Sequence, residues 1–421
     1  MNFGIDRLIF LLNRLREHLW VRPLAVCLVS LAGVFVLKFA DRTPLRDIAP
    51  DISMESIEIL LSIMASSMLV VATFTVGSMV AAYASTGNTA TPRCFRLVIA
   101  DDVSQNALST FIGAFIFSIV ALAAAKNDVF QTAGRFALFI VIASVFALVV
   151  VTFVRWVDRI ARLGRLGTTI DKVEDATAAA LLRRRKAPTL GGGTRQQPPQ
   201  GGVPVFAPTI GYVQHVDIES LQTFATETRS RVVVAALPGT FAAPDRPLAY
   251  ISGNEGEVDG TRVTQAFAIG GERVFDNDPR FGLVVLSEIA GRALSPGIND
   301  PGTAIDIIGT LVRLFSLWIK PVETDDAPAP AYDRVEVPEI SVHDLFDDAF
   351  TAIARDGAGI VEVAIRLQKA LASLASLDDA AVREAAIHHA RMALKRSEKA
   401  LDLPEEIAAV RALARFAAAR E

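Results

Sequence analysis

Residues 57–84, IEILLSIMASSMLVVATFTVGSMVAAYA, constrain this chain more than any other stretch. They carry one charged side chain, Glu58, at the start. As a helix the run would extend about 42 Å, against a bilayer hydrocarbon core of about 30 Å, so it can span a membrane and project beyond it. It is polar for a span, with Ser62, Ser66, Ser67, Thr73, Thr75, Gly77 and Ser78 spread along it. Steps of three, four and seven residues bring Ser62, Ser66, Thr73 and Gly77 to one helical face. Such a stripe either packs closely on another helix or lines water.

The flanking sequence repeats the membrane signal. Pro23 to Ala40, Ala107 to Ala125 and Phe136 to Val154 are further apolar runs that reach or approach the roughly 18 residues a span requires. Residues 1–22 read as an amphipathic juxtamembrane helix, with Leu8, Leu11, Leu12, Leu15 and Leu19 opposite Arg7, Arg14 and Arg16. Between Arg155 and Lys186 lie nine Lys and Arg, and basic flanks stay cytoplasmic. Four spans then put both ends on the cytoplasmic side. The expectation is a multi-pass protein of a bacterial inner membrane. With 52% hydrophobic and 21% charged residues, the 421-residue chain joins a membrane part to a soluble part. A net charge of −4 argues against nucleic acid as a partner. Cys27 and Cys94 suit neither a disulfide framework nor a metal site.

Residues 187–209 hold five Gly and five Pro and read as a flexible linker after a basic helix that begins near 161. A small β-containing module follows over 210–272. GYVQHV (211–216), RVVVAAL (231–237) and PLAYIS (247–252) are expected strands, and Asp217 is the expected cap of a helix running to about Arg229. The pattern around Pro238-Gly239 is similar to the small sandwich of biotinyl and lipoyl carriers, without their modified lysine. Residues 273–320 read as a helical pair and 321–340 as an acidic linker. Residues 341–421 read as a bundle with helices over 344–376, 379–402 and 404–419. The expected fold class is thus membrane α-helical with four N-terminal spans and a cytoplasmic α+β region, the β module preceding a helical bundle.

Asn277-Asp278-Pro279 and Asn299-Asp300-Pro301 each stand just before an expected helix. Asp suits the N-cap and Pro the first helical position. Asp278, Asn299 and Asp300 are also the residues that could bind a cation or small ligand. The two turns bracket one helix about 20 Å long, so a shared cage would need a fold-back or a second subunit. Ser287 to Ala304, SEIAGRALSPGINDPGTA, preceded by Asp278 to Leu283, resembles a bacterial membrane protein family known as domain of unknown function 2254. Ala65-Ser66-Ser67-Met68, Thr73-Phe74-Thr75-Val76 and Thr91-Pro92-Arg93 fit the same family. The resemblance covers nearly the whole chain. It implies four N-terminal spans and a cytoplasmic C-terminal region, and no reaction.

No enzyme is expected. There is no Gly-x-Ser-x-Gly, and the five histidines (18, 215, 343, 388 and 389) show no triad logic. Gly191-Gly192-Gly193 lacks the Lys-Ser/Thr of a phosphate loop. Arg183-Arg184-Arg185-Lys186 reads as a topology determinant that could also touch anionic lipid. No cofactor or metal is expected; the partners are the bilayer, further copies of the chain, and an unidentified ion or small ligand. Two functions remain open: an oligomeric channel-like protein with helix 57–84 at its pore, or a non-conducting scaffold or sensor whose soluble region binds a partner.

Overall fold

A computed structural model describes residues 21–42, 50, 52–99, 101–161, 165–195, 202–253, 260–320 and 331–418. The amphipathic helix expected over 1–22 lies, apart from its last two residues, outside the described residues. The chain forms two compact units, residues 1–169 and 170–421.

The first unit is helical: α1 (Val21–Leu37), α2 (Met54–Thr89), α3 (Phe95–Ile99), α4 (Asp102–Lys126) and α5 (Thr132–Ile160). Among the described residues, α2, α4 and α5 are long and apolar enough to cross a membrane, and α1 is a shorter apolar helix of 17 residues. Helix α2 has 36 residues, so its apolar run sits inside a helix about 54 Å long. Its inner face is Ile57, Leu61, Met64, Met68, Ala72, Thr75, Met79 and Tyr83, all buried and spaced by threes and fours. They meet Phe117 and Leu138 near the start of α2, Phe111 and Trp156 midway, and Val98 and Leu108 near its end.

Charged groups close the helix ends. Asp41, in the turn after α1, accepts hydrogen bonds from the backbone N–H of Gln131 (3.0 Å) and Gly134 (2.7 Å), capping α5 from another part of the chain. Asp101 caps α4 through Ser104 N–H (3.1 Å) and also accepts from Arg159 Nε (2.9 Å), near the end of α5. Arg22 donates to Asn106 (3.0 Å), joining the start of α1 to the start of α4.

The second unit begins within helix α6 (Leu166–Lys186), at Ile170, and holds a module built on two sheets. Its strands are β1 (Gly192–Thr194), β2 (Val203–Phe206), β3 (Gly211–Val216), β4 (Arg231–Val234), β5 (Phe241–Ala242), β6 (Pro247–Ser252), β7 (Phe267–Gly270) and β8 (Tyr332–Val337). The orders are β1-β8-β4-β6-β2 and β5-β3-β7. Helices α7 (Ile218–Glu227) and α8 (Gly260–Gln265) belong to the same module. Asp217 caps α7 as expected, accepting Ser220 N–H at 2.9 Å.

Three expectations are corrected here. The Gly/Pro stretch is not all linker: β1 and β2 lie in it, and Gly192 passes so close to β8 that a Cβ there would stand 2.6 Å from the Val335 carbonyl oxygen. The acidic 321–340 segment contains β8, whose Val335 and Val337 are fully buried between solvated neighbours. The module is not an all-strand sandwich of the carrier kind, because β8 pairs parallel with both β1 and β4, and two helices complete it.

After β7 come α9 (Pro279–Ala293) and α10 (Pro301–Trp318), then α11 (Val342–Asp356), α12 (Val361–Ala375), α13 (Ala380–Ala400), α14 (Pro404–Leu413) and α15 (Arg415–Ala418). The single helix expected over 344–376 is two helices. Gly357 ends α11 and its N–H bonds back to Ile353 (2.9 Å). Helix α6 presses on α9 at Gly282, where a Cβ would overlap the Thr177 side chain. Gly282→Ala is therefore expected to cost about 1–3 kcal/mol in denaturant unfolding, as overpacking does. Gly309→Ala in α10, where the nearest atom to a new Cβ is Arg313 Nη1 at 3.9 Å, should instead be neutral or gain up to about 1 kcal/mol. Similar losses at both sites would contradict this account of the α6–α9 contact.

Candidate functional site

Two places carry the residues singled out by sequence. On α2, Ser62, Ser66, Thr73 and Gly77 are all exposed, on the side away from the buried Met, Leu and Ala face. Among the described residues, no helix of the same chain covers them. Ser66 Oγ donates to the Ser62 carbonyl (2.9 Å) and Thr73 Oγ1 to the Leu69 carbonyl (2.8 Å). These hydroxyls are satisfied by their own helix and need no external partner. A Cβ at Gly77 would have nothing within 4 Å. The face is not uniformly polar, since Leu69 (51% exposed), Val70 and Val80 interleave with the small residues.

The second place is the pair of Asn-Asp-Pro turns. Asp278 caps α9 through Phe281 N–H (3.1 Å), and Asp300 caps α10 through Thr303 N–H (3.1 Å) and Thr303 Oγ1 (2.6 Å). Helix α9 separates them, so they form no common cage. Their surroundings differ sharply. Asp278 is 2% exposed and takes both Nε (2.7 Å) and Nη2 (3.0 Å) of Arg273, a bidentate pair. The left-handed Gly239 (φ +93°) lies against its carboxylate, where a Cβ would overlap it. Asn277 Nδ2 stands 3.3 Å from His215 Nδ1 on β3. Among the described residues Asp300 meets no such cation. Bonds from the Thr303 hydroxyl and backbone hold its carboxyl below the usual range. Asn299 is left-handed (φ +51°), and its N–H bonds to the Ser295 carbonyl (2.9 Å). Asp300 N–H bonds to the Ala293 carbonyl (2.8 Å). The Ser-Pro-Gly-Ile-Asn-Asp run is therefore a compact helix–helix turn held by its own backbone.

Sequence reasoning missed the charge cluster at the start of α9. Arg280 donates from Nε to Asp348 Oδ2 (2.6 Å) and from Nη1 to Asp344 Oδ2 (2.5 Å), tying α9 to α11. Burial pushes the Asp348 carboxyl above its ordinary range, against the pull of Arg280. Arg184, read as one of four topology charges, is 4% exposed. The signal was its register: Ile170, Val173, Thr177, Ala180 and Leu181 make the buried stripe of α6, and Arg184 continues it. His343 and His388 also approach across α11 and α13, with ring centroids 6.3 Å apart.

Several membrane-length apolar helices joined to a sheet-containing region and a helical bundle define a multi-pass membrane protein with a large second unit. The chain belongs to the family described as "Predicted membrane protein (DUF2254)", whose model matches residues 16–373. Uncharacterized proteins of Mycobacterium tuberculosis, strains CDC 1551 and H37Rv, and of Mycobacterium bovis are 33% identical to it over 135 residues. That match covers 31% of this chain and 26% of each relative, so the chain spans about a quarter of their length. No solved structure matches.

Proposed function

We propose that this chain forms a homo-oligomer in the bacterial inner membrane, a channel-like assembly with α2 at its axis and no catalytic reaction of its own. The soluble unit assembles or gates it. One observation carries this reading: the face of α2 bearing Ser62, Ser66, Thr73 and Gly77 is turned outward and left uncovered by the described residues of its own chain. Hydroxyls already bonded to the backbone tolerate either water or a neighbouring helix. The chain passes the bilayer four times in this reading. Helix α1 would span about 26 Å, with Arg22 and Lys38 reaching to the interface at its ends. The basic run from Arg155 to Lys186 keeps that end cytoplasmic, and both termini with it.

Leu69, Val70 and Val80 on the same face favour a second reading, in which copies of α2 pack dry and nothing is conducted. The protein is then a scaffold or sensor whose soluble unit binds a partner or small ligand. The test is the mass of the full chain in detergent and in lipid, followed by salt release from liposomes. The channel reading expects an oligomer with flux, cut about tenfold by Gly77→Leu, a loss equivalent to about 1.4 kcal/mol. A monomer in both media would overturn both readings of α2. An oligomer without flux would favour the second.

A further inference from the structure

Arg184 is the side chain whose surroundings least explain it. The residue is 4% exposed, and among the described residues none of Nε, Nη1 or Nη2 has a hydrogen-bond partner. A guanidinium presents five N–H donors, and leaving them unpaired in a dry interior costs several kcal/mol. Burial lowers its pKa to about 10, with Asp278 opposing that shift, so it keeps its charge at neutral pH.

The carboxylate that acts on it, Asp278, is committed elsewhere. Asp278 gives both oxygens to Arg273 and one of them also to Phe281 N–H. That pairing leaves the Arg184 guanidinium without a hydrogen-bonded counter-charge among the described residues. A helix terminus lies in the same neighbourhood. Asp278 stands at the first turn of α9, a 15-residue helix whose dipole presents its positive end there. Thr177, two turns before Arg184 on the same face of α6, touches that helix at Gly282.

We propose that Arg184, beside the N-terminal turn of α9, is the anchor of a binding site for a small oxyanion of the phosphate class. The anion supplies the acceptors that the guanidinium lacks, and the helix dipole adds to its hold. This goes beyond the reading of α2 and does not depend on it, since the oxyanion is bound in the soluble unit whether or not the membrane unit conducts.

The test uses the full chain in detergent at pH 7.5. Thermal unfolding is followed against sodium phosphate, with sodium chloride at matched ionic strength as the reference. A site that binds only the folded state raises the midpoint with the logarithm of ligand concentration above its Kd. A rise of several degrees in phosphate over chloride is expected, with onset in the millimolar range. Arg184→Met should lose it, and Arg184→Lys should need at least tenfold more phosphate, because a point charge replaces a planar fork. General exclusion of phosphate from protein surfaces also stabilises, and it would act equally on all three proteins. Equal midpoints in phosphate and chloride, or the same rise in Arg184→Met, would overturn the proposal. If Arg184→Met does not fold, the wild type and Arg184→Lys decide it by the same comparison.

Discussion

Asp278→Ala is expected to destabilise the protein by about 3–5 kcal/mol, and Asp300→Ala by only about 1 kcal/mol, although both stand in the same Asn-Asp-Pro triplet. The difference comes from what each carboxylate faces. Asp300 is a cap that serves Thr303 at a partly solvated helix start, and losing a cap costs about 0.5–2 kcal/mol. Asp278 is a cap too, but it is buried and holds Arg273 by two bonds. Its removal strands a guanidinium that is itself largely covered, and breaking a buried pair from one side is costly. It also deprives Arg184 of the one carboxylate coupled to it. Urea unfolding of the full chain, following the soluble unit, separates the two cases. Equal losses at the two aspartates would show that the environment of Asp278 adds nothing to its capping role.

Acidification from pH 7.5 to 5 is expected to remove about 2 kcal/mol through a single residue, His389. The ring is 5% exposed and packs beside Phe346 and Phe350, with centroids 5.7 and 6.4 Å away. Burial pushes its pKa down to about 4. Asp347 opposes the shift, while His388, His343 and Arg396 add to it. Nε2 stands 3.3 Å from Asp347 Oδ1 without forming a hydrogen bond, so that carboxylate relieves little of the cost. A folded pKa below the unfolded value of about 6.5 means the unfolded chain takes the proton first. Stability is therefore full above about pH 6.5, falls as pH drops, and levels off below about 4. His389→Leu keeps the ring's apolar contacts and removes the proton site. Its midpoint should fall less between pH 7.5 and 5 than the wild type's, by the equivalent of those 2 kcal/mol. The same fall in both would assign the acid sensitivity to other groups.

The sequence revealed most where one physical requirement dominated. Length and apolarity were enough for α2, α4 and α5, and the Asp-Pro pairs marked the starts of α9 and α10. Burial could not be read where two requirements agreed on the same residues. Ser62, Ser66, Thr73 and Gly77 suit a helix contact and a water-facing wall equally well, and only the fold turns them outward. Composition misled at β8: three acidic or basic neighbours hid the alternation that buries Val335 and Val337. It misled at β1 as well, since Gly192 is there for close approach and not for flexibility. Arg184 was misread for the opposite reason. Its neighbours Arg183, Arg185 and Lys186 made a run whose summed charge outweighed the register of one member.

The position of β8 bears on how the chain reaches its fold. The strand lies between β1 and β4, pairing Val335 with Val232 across both helices α9 and α10. Synthesis therefore delivers β1, β4, β6 and β2 well before the strand that joins the first two. Until then β1 has no partner and one edge of β4 is open. Closing so long a loop is slow, and an open edge invites strands from other copies. A chain that stalls or is cut after α10 would be an incomplete sheet with its adhesive edge showing, at the stage when the membrane helices have already left the ribosome.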